Sequence, residues 1–129
     1  MTVQSKSQRF ANLVFPHVSE IAASDHAAKY KTLSKKAGSL VRNSGLMQTI
    51  AFFRAKATRS GEEHHQDFYD YLQDELRKLT ILPANQDLFE YVRNSSVPEY
   101  MYLTREILLL INWHKRLADT LISVEDEND

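Results

Sequence analysis

The sequence predicts an all-α protein, a compact bundle of about six helices around a central C-terminal helix. Only three glycines and three prolines punctuate 129 residues, so long segments run without a breaker. Within those segments apolar residues recur every three or four positions, the period of a helix with one buried face. An apolar share of 43% at this length supplies one hydrophobic core and no second one. The expected organisation is a single helical domain over residues 1–122, followed by an acidic disordered tail at 123–129, too charged and short to pack.

The first helix is expected from about Ser5 to Ala23, with Phe10, Leu13, Val14, His17 and Ile21 in register. Pro16 should kink or restart it, because proline removes a backbone donor. Ser24 and Asp25 offer caps for a second helix to Asn43, striped by Tyr30, Leu33, Ala37, Leu40 and Val41. Asn43-Ser44-Gly45 reads as a stop. The third runs from Leu46 to about Ser60 on Leu46, Ile50, Phe53 and Ala57. A fourth, from Glu63 to Leu79, buries Phe68, Tyr71, Leu72, Leu76 and Leu79; its acids at the start and Arg77-Lys78 at the end suit the macrodipole. A short fifth is expected over Gln86 to Arg93. The last runs from Pro98 to about Ile122, with proline in its first turn and an apolar run, Ile107 to Ile111, that points to the most buried position.

The near-neutral net charge of −1 conceals a division. Residues 1–60 carry ten basic and two acidic side chains, whereas residues 61–129 carry six basic and fifteen acidic ones. A molecule so divided suits a polyanion on one side, or head-to-tail contact with copies of itself. Cysteine is absent, so disulfides and thiolate metal sites are excluded. The first residues lack the apolar run of a signal peptide, and no stretch approaches a membrane span, so a cytoplasmic protein is expected.

Constellations that carry chemistry are scarce. No glycine-rich phosphate loop, nucleophile elbow or carboxylate pair is visible, which argues against an enzyme and against a cofactor. Glu62-Glu63-His64-His65 with Asp67 is the one cluster that suggests metal. Adjacent histidines on a helix point about 100° apart, so a solvated helix start is the better reading and no metal site is assigned. His17 and His26 are expected to be hydrogen-bonded structural residues. A metal-dependent helical hydrolase built on Glu62, Glu63, His64 and His65 is one rival reading, and a small helical adaptor that binds nucleic acid through its basic face is another.

Binding residues are easier to nominate. On the second helix Lys31, Lys35 and Arg42 share a face opposite the apolar stripe, with Lys29 and Lys36 beside it. On the third, Phe52, Lys56 and Arg59 place an aromatic ring near two cations, a mixture suited to phosphates and one stacked surface. In the last helix Arg105, Leu109, Asn112 and Arg116 form a line with Trp113 next to it, the composition of a protein interface.

Two blocks carry a resemblance. Leu40-Val41-Arg42-Asn43-Ser44-Gly45-Leu46-Met47-Gln48-Thr49-Ile50-Ala51-Phe52-Phe53-Arg54-Ala55-Lys56, together with the segment from Tyr100 to Ala118 that includes Trp113-His114-Lys115-Arg116, resembles the small subunit of the type III-B CRISPR effector, the Cmr complex. Ile107 and His114 depart from it, standing where alanine and an apolar residue are frequent. The resemblance implies a non-catalytic helical subunit with other Cmr subunits as partners, the guide-bearing backbone subunit and the large subunit. It implies self-association as a filament along that backbone and contact with guide RNA and target RNA. Lys31, Lys35, Lys36, Arg42, Arg54, Lys56 and Arg59 become the candidates for RNA contact.

Overall fold

Ser5 opens the first helix with a reciprocal cap. Its hydroxyl accepts from the Gln8 N–H at 3.1 Å, while the Gln8 side chain accepts from the Ser5 N–H at 2.9 Å. In the computed structural model, which describes residues 3–123, this helix is α1, Lys6–Ala22. It runs unbroken through Pro16, so the expected restart does not occur. Pro16 lies on the exposed side, and the opposite face of Phe10, Val14, Val18 and Ile21 is buried on both sides of the proline, which holds the axis together across one missing hydrogen bond. Positions 124–129 of the expected acidic tail lie outside the described residues.

The second helix, α2, is Ala27–Ser44. It begins two residues later than Asp25 because Ser24 spends its hydroxyl on a turn, donating to Ile21 O at 2.8 Å and accepting from the His26 N–H at 3.1 Å. Gly45 ends α2 and starts α3, Leu46–Ala57, at φ 86° and ψ 158°, a conformation open to glycine alone. The fourth helix, α4, is Glu63–Lys78; α5 is Leu88–Arg93, and α6 is Val97–Leu121. Ser96 and Glu99 form a second capping box at the start of α6, with Pro98 in its first turn.

These elements form a six-helix bundle. One face of α6 lies on α1 and α2, α3 pairs with α4, and α2 touches four other helices and so ties the two groups together. Along its length α2 runs antiparallel to α6. Lys31 Nζ donates to Ile122 O at one end, and the Met47 N–H just beyond α2 donates to the Tyr100 hydroxyl at the other. Tyr69, Gln73 and Arg77, one turn apart on α4, hold the segment leading into α5 by bonds to the Phe89 N–H, the Leu88 N–H and Gln86 O.

Most of the expected stripes are buried: Tyr30, Leu33, Ala37 and Val41 on α2, Leu46, Ile50 and Phe53 on α3, and Phe68, Leu72 and Leu76 on α4, whereas Leu40, Ala57 and Tyr71 lie at the margins and are only partly covered. On α6 the enclosed apolar residues are Leu103, Ile107, Leu110, Ile111 and Ala118, while Leu109 is 39% exposed. The run from Ile107 to Ile111 is thus enclosed on one side and open on the other.

Candidate nucleic-acid interface

The basic residues of α2 divide between two grooves. Lys29 and Lys36, two turns apart, look toward α3 and the start of α4, where they line a groove of about 610 Å3 with Phe52, Lys56, His64 and His65. Leu33 and Leu40 form its apolar floor. Lys29 Nζ donates to Gly61 O at 3.0 Å, which fixes an ammonium at the rim. Phe52 is 38% exposed and stands nearly perpendicular to His65, 5.5 Å between ring centroids. Lys56 Nζ lies 5.7 Å from the Phe52 ring centre, a cation–π contact. Lys36 of α2 and the Phe52–Lys56 pair of α3, nominated on separate helices from sequence, therefore meet in one groove. Lys29, expected only to flank the ridge, joins them.

At the groove's end Glu62, His64 and His65 each offer a ligand atom within 4.8 Å of the others. The 100° separation expected of neighbouring helical histidines is overcome at this first turn: their ring centroids are 4.2 Å apart, and His65 Nδ1 lies 3.1 Å from a Glu62 carboxylate oxygen. Burial, reinforced by His65, pulls His64 down to about 4, so its ring is neutral at physiological pH. Two imidazoles and a carboxylate are zinc-type donors. Three lysines line the same groove, and the helix start adds positive potential. The field there favours an anion over a cation.

On the other side of α2, Lys35 and Arg42 border a smaller groove of about 90 Å3 with Asn112 and Lys115 of α6. Lys35 Nζ is 3.7 Å from Asp119 Oδ1, and Lys31 reaches the end of α6 through Ile122 O at 3.2 Å. Gly38 leaves room here for the Arg42 guanidinium, since a Cβ on it would stand 3.2 Å from Arg42 Nη1. Arg59 is exposed beyond the end of α3. Arg54 sits apart from both grooves, donating to Asp87 Oδ1 at 2.9 Å and the Tyr69 hydroxyl at 3.2 Å, with its guanidinium 5.9 Å from the Phe89 ring centre. It clamps α3 to α4 and α5.

The open side of α6 presents Arg105, Leu109, Asn112 and Arg116 together, all exposed. Trp113 is partly buried against the core. Next to this line, Tyr100, Met101, Thr104, Leu108 and Leu109 border a shallow, largely apolar cavity of about 470 Å3 with Arg105.

A polar cluster missed in the sequence lies inside the bundle. Glu75, fully buried, meets His114 Nε2 at 2.8 Å and His17 Nδ1 at 2.7 Å. His17 also reaches Asp74 Oδ2 at 3.1 Å and stacks on Tyr71, while His26 pairs with Asp67 at 2.8 Å. Both of the histidines expected to be structural are hydrogen-bonded.

Comparison with known proteins accords with this architecture. Residues 6–121 match the family model described as CRISPR-associated protein (Cas_Cmr5). The CRISPR system Cmr subunit Cmr5 of Thermus thermophilus is 30% identical over 120 residues, covering 93% of this chain and 98% of that protein. An X-ray crystal structure of a CRISPR-associated Cmr5 family protein from Thermus thermophilus superposes with a TM-score of 0.76 at 29% identity, covering 93% of this chain and 100% of that one.

Proposed function

The chain belongs to the CRISPR-associated Cmr5 family, and from that premise we propose that it stacks beside the guide-bearing backbone of a Cmr complex and holds guide and target RNA on its basic grooves. Family membership makes it a small, non-catalytic subunit of such a complex. The single observation that carries the RNA reading is the convergence of Lys29, Lys36 and Lys56 around one groove with an exposed aromatic ring. Ammonium groups gathered this way neutralise phosphates without reading bases, which suits a subunit that must accept any guide.

Within the reading, Lys36, Lys56, Lys35, Arg42 and Arg59 contact the RNA. Lys31 and Arg54 act mainly inside the fold, through Ile122 O and through Asp87. Arg105, Leu109, Asn112 and Arg116 on the open side of α6 face a neighbouring subunit, a second copy in the filament or the backbone. No helix among the described residues is long and apolar enough to cross a membrane, and the proposed place of action is the cytoplasm, where the guide and target RNA are.

The test is target binding by the assembled complex carrying Lys36→Glu and Lys56→Glu. Each lost phosphate contact should lower the salt slope by about 0.7, and affinity should fall alike for unrelated target sequences. Wild-type affinity and slope would leave the subunit a protein scaffold only.

A further inference from the structure

We propose that the groove between α2, α3 and the start of α4 is a subsite for one unpaired base of an RNA strand, stacked on Phe52 with its phosphates held by Lys29, Lys36 and Lys56. The inference rests on the RNA reading above and goes beyond it, because phosphate contact alone requires no aromatic ring and no depth.

Three features argue for a base. The groove, at about 610 Å3, falls in the roughly 300 to 1,000 Å3 range of small-ligand sites. Among the described residues that line it, three ammonium groups stand against the one carboxylate of Glu62, a balance that favours an anion. Its apolar surface is localised: Leu33 and Leu40 form the floor, and Phe52 stands at the wall with more than a third of its surface in solvent. Phe52 stands nearly perpendicular to His65 and tilted against Phe53, 5.5 and 6.2 Å between ring centroids, which braces the ring, and Lys56 Nζ lies 5.7 Å from its centre, within reach of the phosphate of a base stacked there.

The end of the groove supplies hydrogen-bonding capacity as well. The His64 and His65 rings line it there, 4.2 Å between centroids, beside the Glu62 carboxylate, and an imidazole nitrogen can donate to or accept from a base edge. A base within a duplex is stacked and paired and cannot enter. Single strands should therefore be preferred over matched duplex at equal phosphate content.

The full chain would be titrated by NMR with inorganic phosphate, uridine and adenosine 5′-monophosphates, single-stranded oligouridylate and a matched RNA duplex. The nucleotides and the single strand should shift the Phe52 and His64 ring resonances, and phosphate should shift only the lysine side chains. Phe52→Ala should weaken single-strand binding about tenfold with an unchanged salt slope, and Phe52→Tyr should restore it. Because Phe52 is partly exposed, thermal melting should be little changed in either variant. If Phe52→Ala binds as the parent does while Lys36→Glu and Lys56→Glu weaken binding, the base subsite is wrong and the phosphate reading stands. Equal ring shifts with duplex, shifts reproduced by phosphate alone, or no ring shift with any probe at millimolar concentration would each overturn the subsite. Loss of effect in the lysine variants too would overturn both.

Discussion

His114 Nε2 lies 2.8 Å from Glu75 Oε2, with both side chains wholly withdrawn from solvent. The other ring nitrogen of His114 faces the Tyr30 hydroxyl at 2.5 Å. Burial, reinforced by the Glu75 charge, raises the Tyr30 hydroxyl well above its usual value, so Tyr30 keeps its proton and donates it to His114 Nδ1. That bond makes Nε2 the N–H that faces the carboxylate. One chain of hydrogen bonds thus links α2, α6 and α4, and His17 extends it to α1.

Removing the carboxylate should cost far more than a surface change. Glu75→Ala leaves the buried His114 donor unsatisfied and takes one of two carboxylate partners from His17, and such losses run to about 1–3 kcal/mol for each buried group. Urea unfolding should give a correspondingly lower midpoint, with the slope retained if the variant still folds as one unit. A midpoint within experimental error of the parent would mean that water replaces the carboxylate and that the network contributes little.

Acid should weaken the fold through His64. In the folded chain its value lies near 4, against 6.5 for an unperturbed imidazole. Between those values the unfolded chain binds the extra proton, so stability rises with pH across the window. This contribution is complete above about pH 6.5 and is lost progressively down to about pH 4. His64→Gln removes the titration, so the difference in melting temperature between pH 7 and pH 4.5 should narrow in that variant; an unchanged difference would assign the acid sensitivity to other groups.

Thr80 is the one non-glycine residue among the described positions with positive φ, at 59°. It closes α4 in the glycine-type cap, in which the Ile81 N–H reaches Leu76 O at 3.0 Å and the Thr80 N–H reaches Arg77 O at 2.9 Å. A β-branched side chain opposes that conformation. Thr80→Gly should raise stability by about 0.5–1 kcal/mol, and Thr80→Val should lower it. The opposite order in thermal melts would mean that the 2.6 Å bond from the Thr80 hydroxyl to Leu79 O outweighs the backbone strain.

The helices were legible because local signals agreed with their packing. Ser5 and Ser96 begin helices, Gly45 ends one, and the stripes through Val14, Ile50, Leu72 and Leu110 point inward. Glu75 was not, although it stands three residues after Leu72 and seven after Phe68, on the apolar face of α4. A charge there announces burial only once a partner is known, and His114 belongs to another helix. The single cationic ridge expected on α2 proved to be two grooves. Successive helical residues turn by about 100°, so Lys35 and Lys36 part around the helix while Lys29 and Lys36 stay aligned. Which neighbours they meet is decided by tertiary placement.

The division of charge along the chain proves partly internal. Lys6 pairs with Glu106 at 3.0 Å, Arg54 with Asp87 at 2.9 Å and Lys35 with Asp119 at 3.7 Å, each joining the basic half to the acidic one. Charges matched within the fold are less available for head-to-tail attraction between copies. The open side of α6 offers another source of contact: Leu109, with Met101 65% exposed next to the same shallow cavity, and Arg105 and Arg116 at the rim. Apolar association resists salt, whereas contacts between exposed charges fade beyond a Debye length of about 8 Å in physiological buffer. Leu109→Asp should therefore prevent incorporation of the subunit into the complex while leaving its melting temperature nearly unchanged, because the side chain contributes little to the core. Incorporation of the parent, followed by sedimentation, should persist at salt concentrations that abolish RNA binding. Parallel loss of both with salt, together with normal incorporation of Leu109→Asp, would place the contact on the charged surfaces and not on α6.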